Sequence, residues 1–163
     1  PELFKKTLEV FSKGDSFEEL VFESIKVKKS IVEQDFKESG LRQCLNIGHT
    51  VGHALEMHYE LKRAHGLCIW EGLIIEHRMA HMMGYLEGNW LNSIESVWKS
   101  MGYESFQGDS KDLRKFLMKD KKNHSGEIRF SFCSCPGKLA WFDGKPVKGL
   151  KPETFFQLLE AAL

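Results

Sequence analysis

The chain has 163 residues, with 23 Lys and Arg against 23 Asp and Glu, so its formal net charge is zero and it lacks overall the positive field that non-specific nucleic-acid binding needs. This length supports one domain with a real core; no run of ~18 apolar residues offers a membrane span, and the start at Pro1 has no apolar secretory segment. Cys44, Cys68, Cys133 and Cys135 show no disulfide-framework spacing, so a reducing cytoplasm is the expected setting.

Residues 2–12 carry Leu3, Phe4, Leu8 and Phe11 at helical spacing, and Gly14 ends that segment. Asp15 or Ser16 is placed to cap a second helix, with Glu18 and Glu19 in its first turn. Phe17, Leu20, Val21, Ile25, Ile31 and Val32 recur along one face, and the pattern predicts a helix reaching residue 37 or 38. Lys28 falls on that expected buried stripe, where its ammonium either snorkels to an edge or holds an anion inside. Ser39-Gly40 breaks the chain.

Residues 42–56 read R-Q-C-L-N-I-G-H-T-V-G-H-A-L-E. Arg42, Asn46, His49, His53 and Glu56 are spaced four, three, four and three apart. On one helix running to about residue 59, that spacing stacks all five on a single face. Gly48 and Gly52 beside them cost a helix about 1 kcal/mol each relative to alanine, which suggests that something approaches the backbone closely there. After a loop at 61–66, His65-Gly66 can return a third imidazole toward the first two. Three imidazoles suit a borderline cation such as Zn²⁺. Thr50 stands where a metalloprotease helix would carry its general-base glutamate, which excludes that chemistry. His49 and His65 are the expected metal ligands, with His53, Glu56 or a residue outside this chain as the third. The bland alternative, packed or solvated polar residues, suits a lone histidine better than a complete row.

Residues 68–83 read as a strongly apolar helix ended by Gly84. Its His77 and His81, beside Glu76 and among methionines, read as structural, at a helix or subunit contact. Residues 89–101 present Trp90, Leu91, Ile94 and Val97 as a core face, 111–118 form a short helix, and 120–126 a charged turn holding Lys121 and Lys122. Strands at 128–133 and 139–142 flank Pro136-Gly137 as a hairpin, Asp143-Gly144 is a second turn, and Pro152 opens a last helix over 154–163. The expected fold is mainly α, a multi-helix domain over residues 1–163 with one small late β-hairpin.

The run Leu45 to Glu56, L-N-I-G-H-T-V-G-H-A-L-E, resembles the motif L-N-x-G-H-T-x-G-H-A-x-E of the 3-dehydroquinate synthase family of sugar-phosphate cyclases, found in its carboxy-terminal domain. Lys28, Asp35, Glu38, Gly40 and Arg42 resemble the family's approach to that motif. His65-Gly66 is similar to the start of its H-G-E segment, and Asp120-Lys121-Lys122 to its late D-K-K. The resemblance runs in order through the whole chain. It implies a helical metal- and substrate-binding domain of an enzyme that converts 3-deoxy-D-arabino-heptulosonate 7-phosphate to 3-dehydroquinate and phosphate, a step of the shikimate pathway to aromatic amino acids. In that chemistry NAD⁺ transiently oxidises a ring hydroxyl, phosphate leaves by elimination and the ketone is reduced back.

The same resemblance implies that His49 and His65 bind Zn²⁺ or Co²⁺. It implies that Lys28, Arg42, Asn46 and His53 contact a sugar-acid phosphate, His53 also handling a proton. One of Lys121 and Lys122, the second preferred, would reach the substrate, and Glu56 would orient a ligand. The family's NAD⁺-binding amino-terminal domain, and the A-E-x-I-K segment that carries its third ligand, have no counterpart in these residues. The chain is therefore expected to be a detached half that works only with a nucleotide-binding half, and a homodimer is the family's habit. Leu67 replaces the H-G-E glutamate, and Glu71 stands where a small or apolar residue is usual. Two alternatives remain: a cyclase acting on other heptulose phosphates, which retention of both Lys28 and Arg42 disfavours, and a non-catalytic helical relic.

Overall fold

Helices α1 (Glu2–Lys13) and α2 (Glu18–Gln34) lead through a 3₁₀ turn (Leu41–Asn46) into α3 (His49–His58) and α4 (His65–Met82). The computed structural model describes residues 2–13, 16–86, 88–119 and 126–163. Helices α5 (Gly88–Ser100) and α6 (Ser110–Leu117) follow, then strands β1 (Ile128–Phe130), β2 (Cys133–Cys135), β3 (Lys138–Leu139) and β4 (Lys148–Leu150), and finally α7 (Pro152–Ala162). The domain is mainly α, as its periodicities require, and among the described residues no helix is long and apolar enough to cross a membrane.

Helix α4 is the centre of the packing, lying against α3, α5 and α7. Val51, Leu55, Cys68, Met79, Leu113, Phe130, Phe132, Phe155 and Leu159 form a continuous buried core around it. The α3–α4 crossing is made by glycines. A Cβ on Gly72 would sit 2.3 Å from the Gly48 carbonyl oxygen and 2.5 Å from the Gly52 nitrogen, and one on Gly48 would sit 2.6 Å from the Ile69 carbonyl oxygen. The close approach signalled by Gly48 and Gly52 is thus that of a neighbouring helix backbone. Helix α6 starts on a capping box: Asp109 Oδ1 accepts from Lys111 N at 2.7 Å, and Asp109 N donates to Asp112 Oδ2 at 3.1 Å.

Several expectations need correction. Residues 42–56 do not form one helix, because Gly48 adopts φ +76° and separates the 3₁₀ turn from α3. Helix α2 stops at Gln34 rather than residue 37 or 38, and its apolar stripe is not buried: Ile25 is 59% exposed and Phe17 47%, with only Leu20 enclosed. Phe17 holds the N-cap position; Ser16 Oγ does accept from Glu18 N at 3.3 Å, while Asp15 lies outside the described residues. Helix α4 begins at His65, so this histidine is helical and not the end of a loop. The late hairpin exists as β2–β3, but Ile128 to Phe130 pairs with β4, in the antiparallel register Ile128↔Leu150 and Phe130↔Lys148.

Candidate metal centre

The α3–α4 crossing brings the three histidines together. The His49 ring lies 5.3 Å from that of His53 and 5.7 Å from that of His65, centroid to centroid, and His53 and His65 are 6.2 Å apart. His49 and His53 share a face of α3 one turn apart, while His65 enters from the first turn of α4. Glu56, mostly buried, stands between two of them: His65 Nδ1 donates to its Oε1 at 2.8 Å, and His53 Nε2 lies 4.0 Å from its Oε2. His49 Nδ1 lies 3.0 Å from the Ile47 carbonyl oxygen and donates to it. In a neutral ring each Nδ1–H contact leaves the lone pair on Nε2, the arrangement a metal-binding imidazole needs.

The donor set fits a divalent cation. Among the described residues, ligand atoms of His53, Glu56 and His65 all lie within 4.8 Å of one another, and the His49 ring adjoins them. Imidazole and carboxylate donors are those that zinc and cobalt accept, at about 2.0–2.2 Å.

The other expected residues fall into three groups. Arg42 and Asn46, on the 3₁₀ turn, meet at Glu38: Asn46 Nδ2 donates to its Oε1 at 2.7 Å, and Arg42 Nε lies 4.0 Å from its Oε2. Arg42 Nη1 donates to the Phe36 carbonyl at 2.8 Å. Asp35 ties this arm down by accepting from the backbone N–H groups of Ser39, Gly40 and Arg42, and those bonds lower its pKa to about 2. Asn46 and Thr50 line a groove with Gln43, Arg129 and Ser131; Thr50 Oγ1 donates to the Arg129 carbonyl at 2.9 Å and anchors α3 to β1. His53 lines an adjoining groove with Phe116 and Lys119 of the α6 end. Lys28 stands exposed on α2, off the buried position expected for it. Lys121 and Lys122 lie outside the described residues.

Two buried carboxylates of α4 support the cluster and were not anticipated as functional. Glu71 pairs with Arg63 (Nη1–Oε2 2.8 Å) and accepts from Phe106 N; burial pushes its pKa up. Arg63 lies over the rings of Tyr59 and Trp98, which holds the loop leading into His65. Glu76 accepts from Gly48 N at 2.8 Å and from Val51 N at 2.9 Å. The only local signal for either was a glutamate inside an otherwise apolar helix.

This arrangement of helices is shared with 2-deoxy-scyllo-inosose synthase, solved in complex with carbaglucose-6-phosphate, NAD⁺ and Co²⁺. The TM-score is 0.76 at 18% identity, over 88% of this chain and 40% of that one, and the likeness is one of fold. The amino-acid sequence narrows the class further. The family model described as 3-dehydroquinate synthase C-terminal matches residues 2–123, and the chain belongs to that family. It is 33% identical over 140 residues to 3-dehydroquinate synthase of Corynebacterium glutamicum (strain R), covering 85% of this chain and 38% of the relative. It is 37% identical over 142 residues to that of Pyrobaculum aerophilum, covering 83% of this chain and 41% of the relative. The chain therefore spans about two fifths of the length of these curated relatives.

Proposed function

We propose that this chain is the metal- and substrate-binding domain of a 3-dehydroquinate synthase, acting on 3-deoxy-D-arabino-heptulosonate 7-phosphate together with a nucleotide-binding half that holds NAD⁺. The observation that carries the reading is the convergence of His49, His53 and His65, with Nδ1 of His49 and of His65 each committed to an acceptor. In this reading His49 and His65 hold Zn²⁺ or Co²⁺, and Glu56 orients His65 and completes the anionic side of the site. The metal, when bound, supplies Lewis acidity to the substrate's hydroxyl and ketone oxygens.

The chain's own residues bind and orient. Arg42 supplies a fixed charge for the carboxylate end, and the Asp35 cap sets the position of its backbone. Asn46 presents an amide to the substrate hydroxyls, and exchange of its Glu38 partner for substrate costs little because one acceptor replaces another. His53, half-exposed beside Glu56, takes and returns a proton at its imidazole. Lys28 and Lys122 add cations for the two anionic ends of the substrate. Catalysis is then chiefly positioning and electrostatics.

The test is reconstitution. The protein is mixed with a 3-dehydroquinate synthase nucleotide-binding half, Zn²⁺ and NAD⁺, and phosphate release from the heptulosonate phosphate is followed. His49→Ala and His65→Ala are each expected to lower the rate by at least about 100-fold. Activity that survives both substitutions unchanged contradicts the assignment.

A further inference from the structure

We infer that Glu76 is a positioning residue for the metal centre: from α4 it sets the rotation and depth of the α3 turn that carries His49, and so the separation of His49 from His65. The inference rests on the proposed metal-binding role. Helix α3 opens at Gly48, which has no side chain with which to cap the exposed N–H groups of the first turn. The cap comes instead from 28 residues away. Glu76 is 0% exposed, and its two oxygens divide between two backbone donors, Oε2 taking Gly48 N at 2.8 Å and Oε1 taking Val51 N at 2.9 Å. His49 lies between those two anchored residues. A single acceptor would leave the turn free to pivot; a two-point fork does not.

The fork stands on a rigid base. One turn earlier on the same face of α4, Gly72 lies so close to the Gly48 carbonyl and the Gly52 nitrogen that no side chain fits, which fixes how deep α3 sits. Next to Glu76, His77 Nδ1 donates to the Leu73 carbonyl at 2.7 Å and Nε2 accepts from Cys133 N at 3.1 Å, tying that turn to β2. His65 is the first residue of this same helix. One rod thus carries one histidine at its start and, three turns on, the carboxylate that locks the other histidine's turn, so the 5.7 Å between the two rings is a property of α4. A buried carboxylate is costly relative to an apolar residue of similar volume unless its partners compensate, here two N–H groups and the positive end of α3. Stability alone gives little reason for one at this position; alignment of a ligand turn does.

Cobalt is the probe. Co²⁺ is titrated into the purified metal-free protein, native, Glu76→Ala and Glu76→Gln, with the visible ligand-field band and the thermal unfolding of the metal-free form both recorded. Glu76→Gln keeps the shape and one acceptor while setting an amide NH2 against the other backbone N–H, so it breaks the two-point fork with little change in volume, and the metal-free unfolding record identifies which variants are folded. The expected result is a 10- to 100-fold weaker Co²⁺ affinity for the alanine variant, a smaller loss for glutamine, and an altered band at saturating cobalt in both. A band and affinity equal to native in the folded variants, with only the unfolding temperature lowered, overturns the inference, since Glu76 is then a helix cap and no more. Native protein that gives no ligand-field band at all overturns the metal reading together with it.

Discussion

His77 stands apart from the three histidines clustered between α3 and α4, with both of its ring nitrogens bonded to backbone. His77 is buried with Nδ1–H on the Leu73 carbonyl and its Nε2 lone pair on Cys133 N–H, so a proton added at Nε2 would face a donor. Burial lowers its pKa from 6.5 to about 4. The unfolded chain takes up this proton near 6.5 and the folded chain only near 4, so the contribution to stability is full above pH 6.5 and is lost as pH falls through that window. The loss amounts to about 3 kcal/mol. Glu71, with its pKa raised by burial, acts in the opposite sense as pH rises, so the comparison of native protein with His77→Gln isolates the histidine. Urea unfolding between pH 7 and pH 4 is expected to show a steeper loss in the native protein; parallel curves would contradict the assignment. Spacing alone made His49, His53 and His65 legible, because two of them are one turn apart and the third opens the next helix after a short loop. Glu76 was not legible, because its two partners are 28 and 25 residues away and only the helix crossing joins them.

Among the elements, α3 and α4 show how a correct signal can have an unforeseen cause. Gly48 and Gly52 announced a close approach, and the approaching body is the α4 backbone at Gly72. Gly72→Ala puts a methyl against the α3 backbone at both Gly48 and Gly52 and is expected to cost about 3 kcal/mol by overpacking, read as a lowered urea midpoint. Gly52→Ala meets the tip of the Ile69 side chain at 2.7 Å, which can move, as well as the Cys68 carbonyl at 3.0 Å, and is expected to cost less. A Gly72→Ala protein as stable as native would mean that the two helices are not in this contact. The four-three-four-three row looked like one helix because the spacing survives a 3₁₀ turn, a left-handed glycine and an α-helix in succession. Helix α2 fails differently. Its periodicity correctly declares an apolar side, but periodicity cannot say what covers that side, and here Val21, Phe22 and Ile25 remain exposed.

At the scale of the molecule, the mainly helical class followed from local pattern, whereas the strand pairing did not. β1 and β4 lie some 20 residues apart and are joined only through the β2–β3 hairpin and a tight turn at Asp143 and Gly144, so no local rule selects their register. Family membership rests on the match over residues 2–123, and within that span the fold gathers His49 and His53 from α3 with His65 from α4, while Arg42 and Asn46 meet at Glu38 on the turn before them. We propose that the histidine cluster is a metal centre. The most direct test is the anomalous difference map, at the zinc edge, of crystals grown with Zn²⁺. The expected result is one peak about 2.1 Å from Nε2 of both His49 and His65. A cluster with no peak, or zinc bound elsewhere while these rings keep other partners, would contradict it.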